Sequence, residues 1–333
     1  MTDTIAAPTV PHLPSDILSS LCEVLLEIPS SASTLLKLAR TSVDLRDAAI
    51  PRLYRRVTLT SDNLIPFLTT SPAGHVGCGL STPSPWAYTT HLRIASLPDD
   101  LCGCHFPPAL PSSSLLPNLR NITLDSGAVW QLIVYTHAHH TPHPLITFLR
   151  ARATPTHLTI HYPNTERTAH SFGGGYCCCF AAVRAFQQNP LRAAAFDRSS
   201  TARLISAMAA GWALKCLTLE GATDDEIPRD VKAKRMEVGW AACQCADEKF
   251  HGEWCFNHVS PMKRVEQVRG LLKWGGEKEM QITVRGVENV GGGSEEEDVG
   301  RWIHQKLAEG TREDEACCGV DGHAGQGHDI AAL

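Results

Sequence analysis

The stretch LPSDILSSLCEVLLEIPSSASTLLKLARTSVDLRDAAIPRLYRRVTL, residues 13–59, holds three short amphipathic blocks separated by turn residues. The first runs from about Ser15 to Glu27, with Ile17, Leu21 and Leu25 at i, i+4 and i+8 and with Leu18 and Val24 beside them, which predicts a helix with one apolar stripe. Leu13-Pro14 sets its start, because proline is tolerated in a first helical turn and not deeper. Pro29 with Ser30, Ser31 and Ser33 ends that helix and caps a second, about Ala32 to Thr41, which carries Leu35, Leu36, Leu38 and Ala39. A third, about Val43 to Arg55, carries Leu45, Ala48, Ala49 and Leu53. The unit is well under the roughly 70 residues at which a single core usually suffices. Its leucines must therefore be covered by the rest of the chain or by another protein.

This stretch resembles an F-box in the form common in fungal proteins. Leu13-Pro14 followed by Asp16-Ile17 is similar to the opening Leu-Pro-x-Glu-Ile of that family, and Leu21 with Leu25 or Leu26 falls on the next apolar positions. Leu35, Leu36, Leu38 and Ala39 resemble its second helix, Thr41-Ser42 stands where a Val-Ser pair is common, and Ala49 to Leu59 resembles its closing segment. Where the family places a large aromatic, this chain has Leu45. The resemblance implies a substrate receptor of a Skp-cullin-F-box type ubiquitin ligase. Its helices would dock a Skp-type adaptor, and through it a cullin ligase, while the remainder would hold an unknown protein target. Leu13, Pro14, Ile17, Leu21, Leu36 and Leu53 are the implied adaptor-docking residues, with the inward and outward members of the set left unseparated.

Beyond the helices, short strand-like runs recur: Leu53 to Leu59, His91 to Leu97, Leu119 to Leu124, His157 to Tyr162, Leu191 to Phe196, Leu214 to Leu219 and Met280 to Gly286. Helix-like segments lie between them, among them NLIPFL, PLITFLRARA, CCCFAAVRAFQQ, TARLISAMAAG and MKRVEQVRGLLKW. Strand then helix, repeated, predicts an α/β fold with a parallel array. Several strands share the form L-x-x-(I/L/A)-x-(L/F), which resembles a degenerate leucine-rich repeat, so the expectation is a three-helix F-box-like module followed by an irregular leucine-rich-repeat-like β/α solenoid; a less regular α/β domain is the alternative. The expected organisation is residues 1–10 disordered, 11–56 the helical module, 57–287 the repeat-like domain and 288–333 an acidic, mostly disordered tail.

Charge supports that division. From Glu288 onward eleven acidic residues face three basic ones, a net of −8, which leaves the body near +3 against −5 for the whole chain. So weak a positive balance argues against nucleic-acid binding. Lys232 to Arg235, KAKR, reads as a solvated helix face rather than a nuclear signal. No apolar run reaches the roughly 18 residues of a membrane span, and residues 1–14 have no secretory pattern, so no membrane partner is expected and the location read is cytoplasmic or nuclear. Thirteen cysteines, odd in number and irregular in spacing, read as reduced, mostly packed thiols.

Three constellations bear on chemistry. Cys243, Cys245, Cys255 and His258 are candidate zinc ligands, with His251 between them, but Cys-x-Cys on a helix points its two thiols about 200° apart, and packed thiols are the favoured reading. His251-Gly-Glu253 lacks the Pro-Cys-x-x-Cys that a zinc deaminase needs. HAHHTPH, His137 to His143, reads as an exposed loop, Cys177 to Cys179 as the buried start of a helix, and GGGY, Gly173 to Tyr176, as a turn without the Lys-Ser/Thr of a phosphate loop. No catalytic set assembles from spacing, so no enzyme activity and no cofactor are expected. Two other readings stand beside the ligase one: a non-catalytic scaffold whose helices merely cap the solenoid, and a zinc-binding protein around Cys243 to His258.

Overall fold

In the computed structural model of the chain, the described residues are 13–28, 31–69, 85–98, 116–139, 141–162, 199–222, 224–240, 261–286, 301 and 305–306. Three helices open it: α1 (Ser15–Glu27), α2 (Ala32–Leu38) and α3 (Val43–Leu53). The first matches its sequence-based bounds, while α2 and α3 stop two or three residues early. Ser42 caps α3, its Oγ accepting from the Leu45 amide at 3.1 Å. The three pack on one another around Leu18, Cys22, Leu35, Ala39, Ala48 and Ala49, with Leu25, Leu45 and Leu53 half-buried against that cluster. Arg52 of α3 ties the module together by donating to the Ala48 carbonyl at 2.9 Å and to Glu23 of α1 at 3.2 Å. Burial pushes the Cys22 thiol pKa up, as expected of a thiol that serves as a small packed hydrophobe.

Seven strands follow: β1 (Arg56–Leu59), β2 (His91–Ile94), β3 (Asn121–Leu124), β4 (His157–His161), β5 (Leu214–Ala222), β6 (Ala233–Trp240) and β7 (Gln281–Arg285). They form one parallel sheet in sequential order from β1 to β7. Between them lie α4 (Leu64–Thr69), α5 (Ser126–His139), α6 (Pro144–Arg152), α7 (Ser199–Ala209) and α8 (Pro261–Glu277). This is the α/β architecture expected, with N-terminal helices and then a parallel sheet with interleaved helices.

Burial alternates along the strands, and that alternation decides how the sheet is used. Leu92, Ile122, Leu158, Leu217 and Met236 form one buried row across β2 to β6, and Ile94, Leu124, Ile160, Leu219 and Val238 form a second. The residues between them, such as Arg93, Thr123, Thr159 and Thr218, are half-buried or exposed. A parallel sheet covered on both faces reads as continuous apolar runs; here one face carries the core. That core is separate from the small cluster within α1 to α3. Gln131 of α5 extends the sheet's bonding past β2, accepting from the Leu97 amide at 2.7 Å and donating to the Leu97 carbonyl at 3.0 Å.

Several sequence expectations are corrected. Lys234 and Arg235 of KAKR lie in strand β6, not on a helix, because Met236 and Val238 alternate into the core. Residues 126–139 form a helix that was not anticipated, and HAHHTPH is not a simple exposed loop: it begins in the last turn of α5, and His143 is buried as the N-cap of α6. The His143 Nδ1 accepts from the Leu145 amide at 3.0 Å while its ring sits edge-on to Tyr135 at 4.6 Å. The strand expected at Leu191 to Phe196 and the helix at Cys177 to Gln188 lie outside the described residues, as does the Gly173 to Tyr176 turn. Within the stretch read as a tail, the Lys306 carbonyl accepts from Arg269 of α8 at 2.7 Å, so this part of the tail contacts the body.

Glycine matters where α8 ends against β7. A Cβ on Gly275, near the end of α8, would stand 2.5 Å from the Ile282 side chain and 3.0 Å from the Met280 carbonyl. Gly275→Ala is therefore expected to lower stability by about 1 kcal/mol in a urea melt, since overpacking of about 1–3 kcal/mol outweighs the roughly 1 kcal/mol that alanine gains in a helix.

Candidate interaction surfaces

Helix α1 is apolar on two sides. Leu18, Cys22 and Leu25 turn inward to the cluster shared with α2 and α3. Ile17, Leu21, Val24 and Ile28, at i, i+4, i+7 and i+11, form a second stripe that is exposed, with Leu13 just ahead of it. Leu36 of α2 and Val43 at the start of α3 are exposed too. Among the described residues, eight of the ten exposed large apolar side chains belong to residues 13–43. Such concentration is unusual, because exposed apolar side chains normally lie scattered and a contiguous apolar patch marks an interaction surface.

The structure thereby sorts the six adaptor-docking candidates. Leu13, Pro14, Ile17, Leu21 and Leu36 are exposed. Leu53 is half-buried and packs against the inner cluster of the three helices, which makes it the inward member of the set. The single stripe expected for α1 divides into two because Ile17 and Leu18 stand about 100° apart on a helix, so neighbours in sequence serve opposite sides.

A second surface is the polar face of the sheet, and it is built by register. Arg56, His91, Asn121, His157, Cys216 and Arg235 are directly aligned from β1 to β6. One residue earlier lies another row, joined by backbone bonds. The Arg55 carbonyl accepts from the amides of Thr90 and His91, the Thr90 carbonyl from Arg120 and Asn121, the Arg120 carbonyl from Thr156 and His157, and the Thr156 carbonyl from Lys215 and Cys216. Thr90 and Thr156 repeat one arrangement: each hydroxyl lies 2.9 Å from the Nδ1 of the following histidine and donates to the arginine carbonyl of the preceding strand, at 3.1 and 3.4 Å. Sequence reasoning missed these rows. The available signal was Thr-His-Leu-x-Ile, which occurs at residues 90–94 and again at 156–160.

Charges farther along this face are paired, and Arg235 of the leading row joins them. Arg93 bridges to Asp125 at 2.7 Å, Arg235 to Glu237 at 3.2 Å, and Arg285 to Glu220 and, at 3.9 Å, to Glu237. Gly239 makes room for the Glu220 carboxylate, which a Cβ there would approach to 2.5 Å. Gly239→Ala should push Glu220 off Arg285 and reduce stability by roughly 1 kcal/mol or less, because partly exposed pairs contribute little, and the loss should shrink in high salt. A melt series of this variant from 50 mM to 1 M salt checks it.

Cys243, Cys245, Cys255 and His258, and His251 with them, lie outside the described residues. Among the described residues no group of three His, Cys, Asp or Glu side chains is placed to hold a metal ion. No described helix is long and apolar enough to cross a membrane. Compared with known proteins, the chain matches no protein-family model, no curated protein and no solved structure.

Proposed function

We propose that this chain is an F-box-like substrate-recognition subunit of a Skp-cullin-F-box type ubiquitin ligase, acting in the cytoplasm or nucleus. The observation that carries the reading is the double-sided first helix, with one apolar stripe in a core of its own and a second, Ile17 to Ile28, left in solvent. A helical cap would turn its apolar side into the core of the solenoid it covers. Here the helical cluster is separate from the sheet's core, which favours an adaptor-docking module over a cap and hence over the scaffold reading.

The sheet is read as a leucine-rich-repeat-like solenoid. Its strands run in sequence order with no reversal, and one face keeps polar side chains half-exposed. That open face is the part of the molecule suited to hold a protein target. Chemistry belongs to the other subunits, and no residue of this chain is assigned a catalytic role or a cofactor.

Co-expression with a Skp-type adaptor tests the proposal. A stable interface of this kind buries on the order of 1,200–2,000 Å², so the adaptor should stay with the chain through affinity capture and size exclusion. Separation of the two at micromolar concentration would transfer support to the scaffold reading.

A further inference from the structure

Among the described residues, five exposed cations at the leading edge of the sheet have no ion-pair partner, while Arg235 of the same edge pairs with Glu237. Arg55 and Arg56 stand at β1, Arg120 at β3, Lys215 at β5 and Lys234 at β6, and all five are exposed. Between them in the two aligned rows lie Thr90, His91, Asn121, Thr156 and His157, polar groups that carry no negative charge. Through β6, neither row contains a carboxylate. The acidic groups of this face, Asp125, Glu220 and Glu237, lie farther along the strands and are engaged by Arg93, Arg285 and Arg235. The imbalance is felt at His91, whose pKa is lowered by burial first and then by the charges of Arg56, Arg55 and His157.

We propose that this strip is the docking site for an extended, carboxylate-rich segment of a protein partner, laid across the strands at their N-terminal ends. The inference rests on reading the solenoid as the target-holding part of the chain, and it names the chemistry of that target. The geometry sets the partner's form. At about 4.8 Å per strand the row from β1 to β6 spans about 24 Å, which about seven residues of extended chain cover at about 3.3 Å each. Cations at β1, β3 and β5 recur about every 9.6 Å, near the roughly 9.3 Å three-residue turn of a polyproline II segment, whose every third side chain lies on one side, so the strip fits an acidic side chain at every third position. Single cations at that interval match single carboxylates, whereas phosphate is usually gripped by converging, bidentate arginines. Single-stranded nucleic acid fits poorly, because it binds by stacking its bases on aromatic side chains and neither row contains Phe, Tyr or Trp.

The test uses the full chain and a fluorescein-labelled ten-residue peptide with glutamate at every third position, followed by anisotropy. Saturable binding is expected at 50 mM salt, weakened severalfold at 300 mM because exposed charges are screened beyond a Debye length of several ångströms. Arg120→Glu with Lys215→Glu should weaken it at least about tenfold, while Lys273→Glu with Lys278→Glu, the same charge change away from the strip, should leave it within about twofold. Circular dichroism of both double variants confirms that they are folded. The proposal is overturned if the full chain does not bind the peptide, whether the strip is inert or covered by the chain's own Glu295 to Asp298. It is equally overturned if the strip variant binds as well as the control, or if a ten-nucleotide single-stranded DNA binds more tightly than the peptide. Adaptor capture measured on the same variants should be unchanged, so loss of adaptor binding with peptide binding intact would count against the ligase reading alone.

Discussion

A chain carrying Ile17→Asp and Leu36→Asp should remain folded and lose its adaptor. Both side chains are about half exposed, at 51% and 45%, and neither belongs to the inner cluster of the helical module. Surface changes of this kind usually alter stability by no more than about 0.5 kcal/mol, so the melting temperature should move by about 2 °C or less. At a docked interface the same changes bury two unpaired carboxylates, each with a desolvation penalty of several kcal/mol. Adaptor affinity should fall at least a hundredfold, which a pull-down or titration calorimetry would register as loss of binding. Leu53→Ala provides the contrast, because Leu53 packs inward and should act through stability rather than through the interface. Retention of the adaptor by the double aspartate variant at wild-type affinity would falsify the docking assignment.

Ile160→Ala and Thr159→Ala should differ by several kcal/mol although the residues are neighbours. Ile160 is fully buried in β4, flanked by Leu124 and Leu219 in the adjacent strands. Truncating it removes about three methylene equivalents from water-free packing and leaves a cavity, at a typical cost of about 2–5 kcal/mol. Thr159 stands on the opposite face between Thr123 and Thr218 and is half-buried. Its loss should cost less than about 1 kcal/mol. Denaturant midpoints of the two variants compare them directly. Equal losses would mean that both faces of the sheet are covered, and the target-holding role proposed for the polar face would lose its basis.

Much of the framework was legible in the residues. The bounds of α1 followed from Leu13-Pro14 at one end and Pro29 at the other, because proline restricts where a helix can start and stop. Strands at 56–59, 91–94, 121–124 and 157–161 were visible as short alternating runs, since period-two burial of one face leaves a readable pattern. Strand β6 was not. Its opening Lys234-Arg235 is exposed and charged, and only Met236 and Val238 behind it carry the alternation, a signal as short as that of a solvated helical turn. Helix α5 escaped because Val129, Leu132 and Ile133 make it apolar along much of its length, so that periodicity was faint.

Local order, then, was determined by the sequence alone: three amphipathic helices, the alternation that makes strands, and the separation of an acidic C-terminal stretch from a near-neutral body. Which leucines of α1 serve a core and which face solvent was decided only by tertiary packing, because residues 17 and 18 are equally apolar and just α2 and α3 cover one side of the helix. The polar rows of the sheet have the same origin. Arg55, Arg120 and Lys215 are far apart in the chain and become neighbours only when five strands align in parallel register, and no pattern along the chain encodes that alignment. Register is set by the buried rows seeking the core, and the charged row, two residues ahead of Leu92, Ile122, Leu158 and Leu217, is carried with it.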